Sequence, residues 1–169
     1  MKILLEPWSE NDLDLLRQIN TAQMKKFLGG PETDDQLVTR NRRYTEMNDP
    51  QTGRIFRVML LPEDVAVGTV GYWEREWQGV QVYEAGWSVL PGYQGRGIAV
   101  AATLEVIEAA SVQDRHRFLH AYPKVDNAAS NAVCRKAGFA LLGPSDFEYP
   151  PGNPITCNDW RYDLHAAVK

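Results

Sequence analysis

The chain has 169 residues, of which 44% are hydrophobic and 24% charged, and its formal net charge is −4; these values predict one globular domain over residues 1–169 with a sizeable core. No apolar run is long enough to cross a bilayer, the first residues lack the apolar region of a signal peptide, and the two cysteines, Cys134 and Cys157, form neither a disulfide framework nor a cysteine-rich metal site. We therefore expect a cytoplasmic protein that binds neither membranes nor nucleic acid broadly, with an acidic balance compatible with a cationic amine substrate.

The predicted elements of the first half begin with a short strand, Ile3 to Trp8. Ser9 is placed to cap a helix from Glu10 to about Asn20, and a second helix runs from Thr33 or Asp34 to Met47. The hydrophobic pattern then changes to that of strands. Three strands are predicted there, separated by turn-like segments: Ile55 to Leu61, Val65 to Trp73 and Val80 to Leu90.

The second half alternates helices and strands. A glycine-rich loop leads into a helix from Ile98 to about Val112, and a strand follows from Phe118 to Tyr122. Asp126 and Asn127 open the next helix, which ends at Lys136 just before Gly138. Two last strands are joined by a long loop, Pro144 to Pro154; these strands are Ala140 to Gly143 and Thr156 to Leu164. The mixture of helices and strands predicts an α/β fold.

The loop from Pro91 to Ala99 is the most informative segment of the chain. Three glycines within six residues bring backbone N–H groups close to a ligand, at the positive end of a helix dipole. We therefore expect a cradle for a phosphate or pyrophosphate group. A P-loop needs Lys-Ser or Lys-Thr after Gly97, where this chain has Ile98-Ala99, so a P-loop is excluded. A dinucleotide fingerprint needs Gly or Ala where this chain has Val100, which argues against that motif. An ordinary strand-to-helix turn is the remaining alternative.

Two motifs together carry a resemblance to a known family. Gln94-Gly95-Arg96-Gly97-Ile98-Ala99 resembles the pyrophosphate loop of the GNAT-type N-acetyltransferases, which hold acetyl-CoA there. About thirty residues later, Asn127-x-x-Ser130-x₅-Lys136-x-Gly138-Phe139 resembles the helix after the fifth strand of that superfamily. The second motif is most similar to the branch with the ribosomal-protein N-terminal acetyltransferases, as is the helix break from Phe27 to Pro31.

The resemblance implies a fold, a cosubstrate and a reaction. The fold is a mixed, mostly antiparallel sheet of about seven strands flanked by about four helices. The cosubstrate is acetyl-CoA, no metal is needed, and the acetyl group passes to a primary amine by direct attack in a ternary complex. The acceptor is a small-molecule amine or a protein N-terminus. The resemblance does not decide between a monomer and a homodimer. The alternative is a regulatory module that binds acyl-CoA without turnover.

Glu84 is the best candidate for a general base. It lies in a predicted strand between apolar neighbours, where acids are depleted. Partial loss of water would raise the pKa of its carboxyl group towards the range useful in a base. The resemblance also points to Glu84, because several GNAT enzymes use a glutamate on this strand as base. The alternative is a surface glutamate paired with a lysine or arginine.

The resemblance assigns the other roles at the thioester. The N–H near Val89 polarises the thioester oxygen, close to Gly86, which marks a bulge or the close approach of another backbone. Ser130 protonates the departing thiolate, with Tyr122 as the alternative. Asn127 and Ser130 share one face of a helix and either contact the pantetheine arm or cap their own helix.

Further residues leave their roles open. His120, on a predicted strand, is an alternative base, although a structural role is preferred. Cys134 is expected to be a buried thiol. Aromatic and acidic residues of the later strands suit a cationic amine, and the alternative for several of the aromatics is a place in the core. These residues are Trp73, Trp77, Asp146, Phe147, Glu148, Tyr149 and Asp159.

Overall fold

A computed structural model describes residues 1–166, so the last three residues of the predicted domain lie outside the described residues. Within this range the structure contains eight strands and four α-helices. In chain order they are β1 (Lys2–Pro7), α1 (Leu13–Ile19), α2 (Asp34–Glu46), β2 (Asn48–Asp49), β3 (Gly53–Leu61), β4 (Val65–Trp77), β5 (Val80–Val89), α3 (Ile98–Ser111), β6 (Phe118–Ala121), α4 (Ala128–Ala137), β7 (Ala140–Glu148) and β8 (Pro154–Asp163).

All eight strands join one sheet. Its order is β1-β3-β4-β5-β6-β8-β7, and the short β2 pairs with β3. Only β5 and β6 run parallel, and every other neighbouring pair is antiparallel. The expected mixed, mostly antiparallel sheet flanked by helices is therefore confirmed.

Two cores lie on opposite faces of this sheet, because side chains alternate along each strand. The larger core joins the sheet to α3 and α4, for example through Val106 and Cys134, both fully buried. The smaller core holds Leu16 of α1 and Leu37 of α2 against Ile55 of β3. Helices α1 and α2 pack on β3 and β4. The part of this second face formed by β5, β6 and β8 carries the polar side chains described below.

The observed boundaries correct the predicted ones in four places. Residues Glu10–Asp12 form a 3₁₀ turn, because Ser9 and Asp12 bond to each other's backbone and separate this turn from α1. Residues Asn48–Asp49, directly after the predicted end of a helix at Met47, pair with β3 as a short strand. The predicted connection between strands ending at Trp73 and starting at Val80 shrinks to Gln78-Gly79, whose positive φ angles of 51° and 81° suit a two-residue hairpin.

The fourth correction concerns the predicted loop from Pro144 to Pro154. There β7 continues to Glu148 and pairs with β8 from Pro154 onward, so the loop is only residues 149–153. Pro144 is compatible with this pairing because β7 is the last strand of the sheet, where a missing N–H costs no ladder bond. Within residues 1–166, no helix combines the length and the apolar character needed to span a membrane.

Candidate active site

The segment from Tyr93 to Ala99, hereafter the glycine loop, leads from β5 to α3 and faces open space. Gly95 and Gly97 have φ angles of 74° and 80°, a left-handed conformation that favours glycine. A Cβ atom added at either glycine, or at Gly92, would meet no atom within 4 Å. Among residues 1–166 no side chain caps α3, so the first N–H groups of this 14-residue helix remain available to an anionic group.

The side chains of the glycine loop differ in what they contribute. The Gln94 amide donates to the carbonyl oxygen of Val89 at 2.8 Å and so ties the loop to the end of β5. Arg96 is exposed, with its guanidinium carbon 5.7 Å from the Tyr93 ring centroid. Ile98 is almost fully buried and anchors α3 in the larger core, so only its backbone faces the loop.

Strands β5 and β6 separate next to this loop. They pair only at Tyr83 with Leu119 and at Glu84 with His120, although β5 continues to Val89. The N–H of Leu90 donates to Val67 on the β4 side. Because hydrogen-bonding directions alternate along an antiparallel pair, the N–H and C=O of Val89 point to the other side, into the gap.

Glu84 lies at the closed end of this gap. Its side chain is 20% exposed, and Arg75 donates from Nη1 to its Oε1 at 2.8 Å. Burial raises the pKa of Glu84, while the hydrogen bond and the charge of Arg75 lower it, and the raising effect is the larger. Glu84 therefore shows both the partial loss of water that was expected for a base and the arginine partner that was expected for a surface glutamate.

His120 lies beside Glu84 in a buried hydrogen-bonded group. Its Nδ1 is 2.6 Å from Oδ1 of Asp159, and both side chains are less than one-tenth exposed. The indole N–H of Trp77 donates to the other Asp159 oxygen at 3.0 Å. We refer to the residues of these two neighbouring hydrogen-bonded pairs as the polar floor. They are Arg75, Glu84, His120 and Asp159.

Three aromatic rings contact one another at one side of the polar floor. Trp77, Tyr122 and Phe147 have centroids 4.9, 5.0 and 5.2 Å apart. The Arg75 guanidinium carbon lies 5.2, 4.8 and 5.2 Å from the same three rings in that order. At these distances cation–π attraction holds Arg75 in place next to Glu84.

Tyr122 and Ser130, the two candidates for protonating the thiolate, differ in how exposed their hydroxyl groups or side chains are. The Tyr122 hydroxyl is buried and has no hydrogen-bond partner among residues 1–166, and burial raises its pKa. Ser130 lies half-buried in the first turn of α4. Its backbone N–H donates to Oδ1 of Asn127 at 3.2 Å, so Asn127 does cap the helix.

Other sequence candidates fall outside the gap. Cys134 is fully buried, and burial raises its thiol pKa to about 12. Gly86 forms no bulge, because pairing with β4 continues through it; instead the Trp73 ring lies so close that a Cβ would be 2.9 Å from Cη2. Glu148 and Tyr149 are exposed. Residues 1–166 contain no group of three His, Cys, Asp or Glu side chains that could hold a metal ion.

Sequence reasoning missed two residues that organise the site. Arg75 lies just beyond the predicted end of a strand at Trp73. Only the register of β4 on β5 shows that its side chain is on the same face of the sheet as that of Glu84. Asn131 is buried, and its Oδ1 accepts hydrogen bonds from Asn158 and Trp160, at 2.9 and 2.8 Å. Asn131 thereby fixes α4 to β8.

The chain matches known proteins in sequence and in fold. A family model described as acetyltransferase (GNAT) domain matches residues 2–140. Over 128 residues the chain is 26% identical to the uncharacterised N-acetyltransferase YnaD of Bacillus subtilis, a match that covers 75% of this chain and 71% of YnaD.

Two solved structures illustrate the similarity of fold. RimL, a ribosomal L7/L12 alpha-N-protein acetyltransferase in complex with coenzyme A, has a TM-score of 0.80 at 16% identity, covering 98% of this chain and 96% of that one. The aminoglycoside acetyltransferase AAC(6')-Ib, also in complex with coenzyme A, has a TM-score of 0.76 at 16% identity, covering 99% and 98%.

Proposed function

The chain belongs to the GNAT acetyltransferase family, and we propose that it transfers the acetyl group of acetyl-CoA directly to a primary amine in a ternary complex. The observation that carries this proposal is the gap between β5 and β6. The glycine loop opens at one end of this gap, and the partly buried carboxyl group of Glu84 lies at the other. A thioester and an amine can meet there between a site for diphosphate and a proton acceptor.

The glycine loop is the proposed site of the cosubstrate's diphosphate. The N–H groups at the start of α3 and the positive end of its dipole favour negative charge. Gly95 and Gly97 keep side chains out of the way, and Arg96 adds a positive charge at the surface. Gln94 acts by holding the loop against Val89. The complexes of RimL and AAC(6')-Ib with coenzyme A support this assignment through their shared fold.

The N–H of Val89 is the proposed donor to the thioester oxygen. As the amine attacks, this oxygen gains negative charge, and a donor already aimed into the gap stabilises it without rearrangement. Val89 lies in the part of β5 beyond the last pair with β6, so β6 leaves this N–H free. The acetyl group would therefore lie between the glycine loop and Glu84.

Glu84 is the proposed base that makes the amine nucleophilic. An ammonium group cannot attack a thioester until it has lost a proton, and a carboxylate of raised pKa accepts that proton more readily. Ser130 is the proposed acid for the departing thiolate, because the Tyr122 hydroxyl is buried within the aromatic cluster. Since a thiolate leaves readily near neutral pH, we expect this acid to contribute less than the base.

The acceptor is proposed to be a small-molecule amine or a protein N-terminus. The acidic side chains and the aromatic rings around the gap suit a cationic group. The two solved structures do not choose between these acceptors, because one acts on a ribosomal protein and the other on aminoglycosides, at similar TM-scores.

A screen of acceptors tests the proposal. The full chain is incubated with acetyl-CoA and either single amines (polyamines, amino acids, aminoglycosides) or a peptide with a free N-terminus, and released CoA is measured with a thiol reagent. We expect release above the rate of acetyl-CoA hydrolysis with one class of acceptor. Tight binding of acetyl-CoA without release for any acceptor would favour a binding module instead.

A further inference from the structure

The proposed reaction removes two protons from one nitrogen atom. The acceptor begins as an ammonium with three N–H bonds if it is a primary amine, and the amide product keeps one. One of the two protons ends on the sulfur of CoA and the other in solvent. Glu84 can take the first proton before attack, but it is then protonated when the tetrahedral intermediate has to lose the second.

A second proton acceptor stands next to Glu84. His120 is paired in register with Glu84 on the neighbouring strand, at the last position before β5 and β6 separate. Residues opposite each other in a ladder present their side chains on the same face.

The environment of His120 fixes which ring nitrogen can accept a proton. Asp159 lies 2.6 Å from Nδ1, and a carboxylate can only accept a hydrogen bond, so Nδ1 carries the proton. No hydrogen bond from another residue of the described chain reaches Nε2. The indole of Trp77 holds Asp159 through its second oxygen. The neutral imidazole therefore keeps a free lone pair at Nε2.

We propose that His120 accepts the second proton of the acceptor amine, with Asp159 and Trp77 as positioning residues. The inference rests on the proposed acetyl transfer. In the step it describes, an N–H bond of the tetrahedral intermediate breaks, its electron pair stays on nitrogen, and a new N–H bond forms at Nε2. The C–S bond then breaks, and the thiolate takes a proton from solvent or from Ser130, which then regains one from solvent. Glu84 and the imidazolium each return a proton to solvent, so that of the two protons taken from nitrogen the net result is one on sulfur and one in solvent.

Several charged or titratable groups surround His120, so a substitution at this position also changes their surroundings. Asp159 bonds to it, Glu84 and Arg161 are its register partners on β5 and β8, and Tyr122 stacks on its ring with centroids 5.6 Å apart. Arg75 lies beyond Glu84 and Tyr122. Removing His120 should therefore change the pH dependence of turnover as well as its size.

The test compares three single variants with the wild type, using an acceptor found in the screen. In His120→Asn the amide can still donate to Asp159 but cannot accept a proton near neutral pH. We expect its kcat to fall about 100-fold with unchanged binding of acetyl-CoA. In His120→Ala, added imidazole should restore part of the lost turnover. His165→Asn is the matched control, because His165 is exposed and faces Asp114 at 3.7 Å.

Two results would overturn the role of His120 in an active enzyme. One is wild-type turnover in His120→Asn, and the other is a loss in His120→Ala that imidazole does not restore. If either variant fails to fold, long-range ¹H–¹⁵N correlation spectra of the wild type decide the matter, because a proton at Nε2 instead of Nδ1 in the neutral ring contradicts the proposal. A wild type that releases no CoA with any amine would instead refute the acetyl transfer itself.

Discussion

The glycine loop and the polar floor satisfy their polar groups in opposite ways. In the loop, the N–H groups at the start of α3 have no capping side chain, and its glycines face open space. On the floor, Arg75 bonds to Glu84, and His120 bonds to Asp159, which also accepts from Trp77. The loop is therefore suited to take up the charge of a ligand, while the floor holds its own side chains in fixed positions.

This difference separates binding from chemistry. Donors without partners gain hydrogen bonds only when an anion arrives, so changes in the loop should act on affinity. Groups already held in place need no rearrangement when charge develops during a reaction, so changes on the floor should act on turnover. Variants that change only affinity or only turnover would support this separation, and variants that change both would argue against it.

The largest effect is expected at Glu84. Glu84→Gln keeps the size and most of the hydrogen bonding of the side chain but cannot accept the ammonium proton. We expect kcat to fall by about 10²- to 10⁴-fold, with the Kd for acetyl-CoA unchanged. The control is Glu74→Gln on β4, which makes the same change at a carboxylate that accepts from Arg115 at 2.7 Å. Unchanged turnover of Glu84→Gln at every pH would remove Glu84 from the role of base.

The pH dependence of the wild type gives a second check on Glu84. A base acts in its ionised form, and burial raises the pKa of this carboxyl group. The acidic limb of kcat/KM should therefore lie at a higher pH than an ordinary glutamate would give. Arg75 lowers the same pKa, so Arg75→Met should move this limb further up. A limb that moves down in Arg75→Met would contradict the assignment.

The next effect is expected at the glycine loop. Gly97→Glu places a carboxylate and a strained backbone where φ is 80°, at the point that should receive the diphosphate. Repulsion between like charges should weaken acetyl-CoA binding by about 100-fold or more, measured by calorimetry. Gly92→Glu is the matched control, because it adds the same charge just before the glycine loop, at a glycine without positive φ. Equal losses in both variants would argue against a specific site at Gly97.

The loop could be predicted from the sequence as a unit, whereas for the floor the sequence named Glu84, His120 and Asp159 separately and predicted none of the contacts between them. Glycine spacing, the strand before it and the helix after it are local features, and family membership predicted from two motifs is confirmed. Glu84 was singled out because an acid in an apolar strand is unusual. Arg75 and Phe147 meet across strands that are far apart in the sequence, and only the register and the curvature of the sheet bring them together.

A moderate effect on stability is expected where β5 supports the floor. Gly86→Ala brings a Cβ to 2.9 Å from Cη2 of Trp73, and overpacking of this kind costs about 1–3 kcal/mol of unfolding free energy. Urea titration measures this cost. In a Trp73→Phe background the clashing atom is missing, so the same change at Gly86 should cost less. Equal costs in the two backgrounds would show that the Trp73 ring does not explain the glycine.

The smallest effect is expected at Asn127. This residue caps α4, so Asn127→Ala should lower stability by about 1 kcal/mol. Asp caps helices as well as Asn does, so Asn127→Asp should keep that stability. If Asn127 also touches the pantetheine arm through its amide, Asn127→Asp should still weaken acetyl-CoA binding, as measured by calorimetry. Unchanged affinity would limit this residue to capping and leave the gap between β5 and β6, rather than the start of α4, as the part of the molecule that positions the thioester.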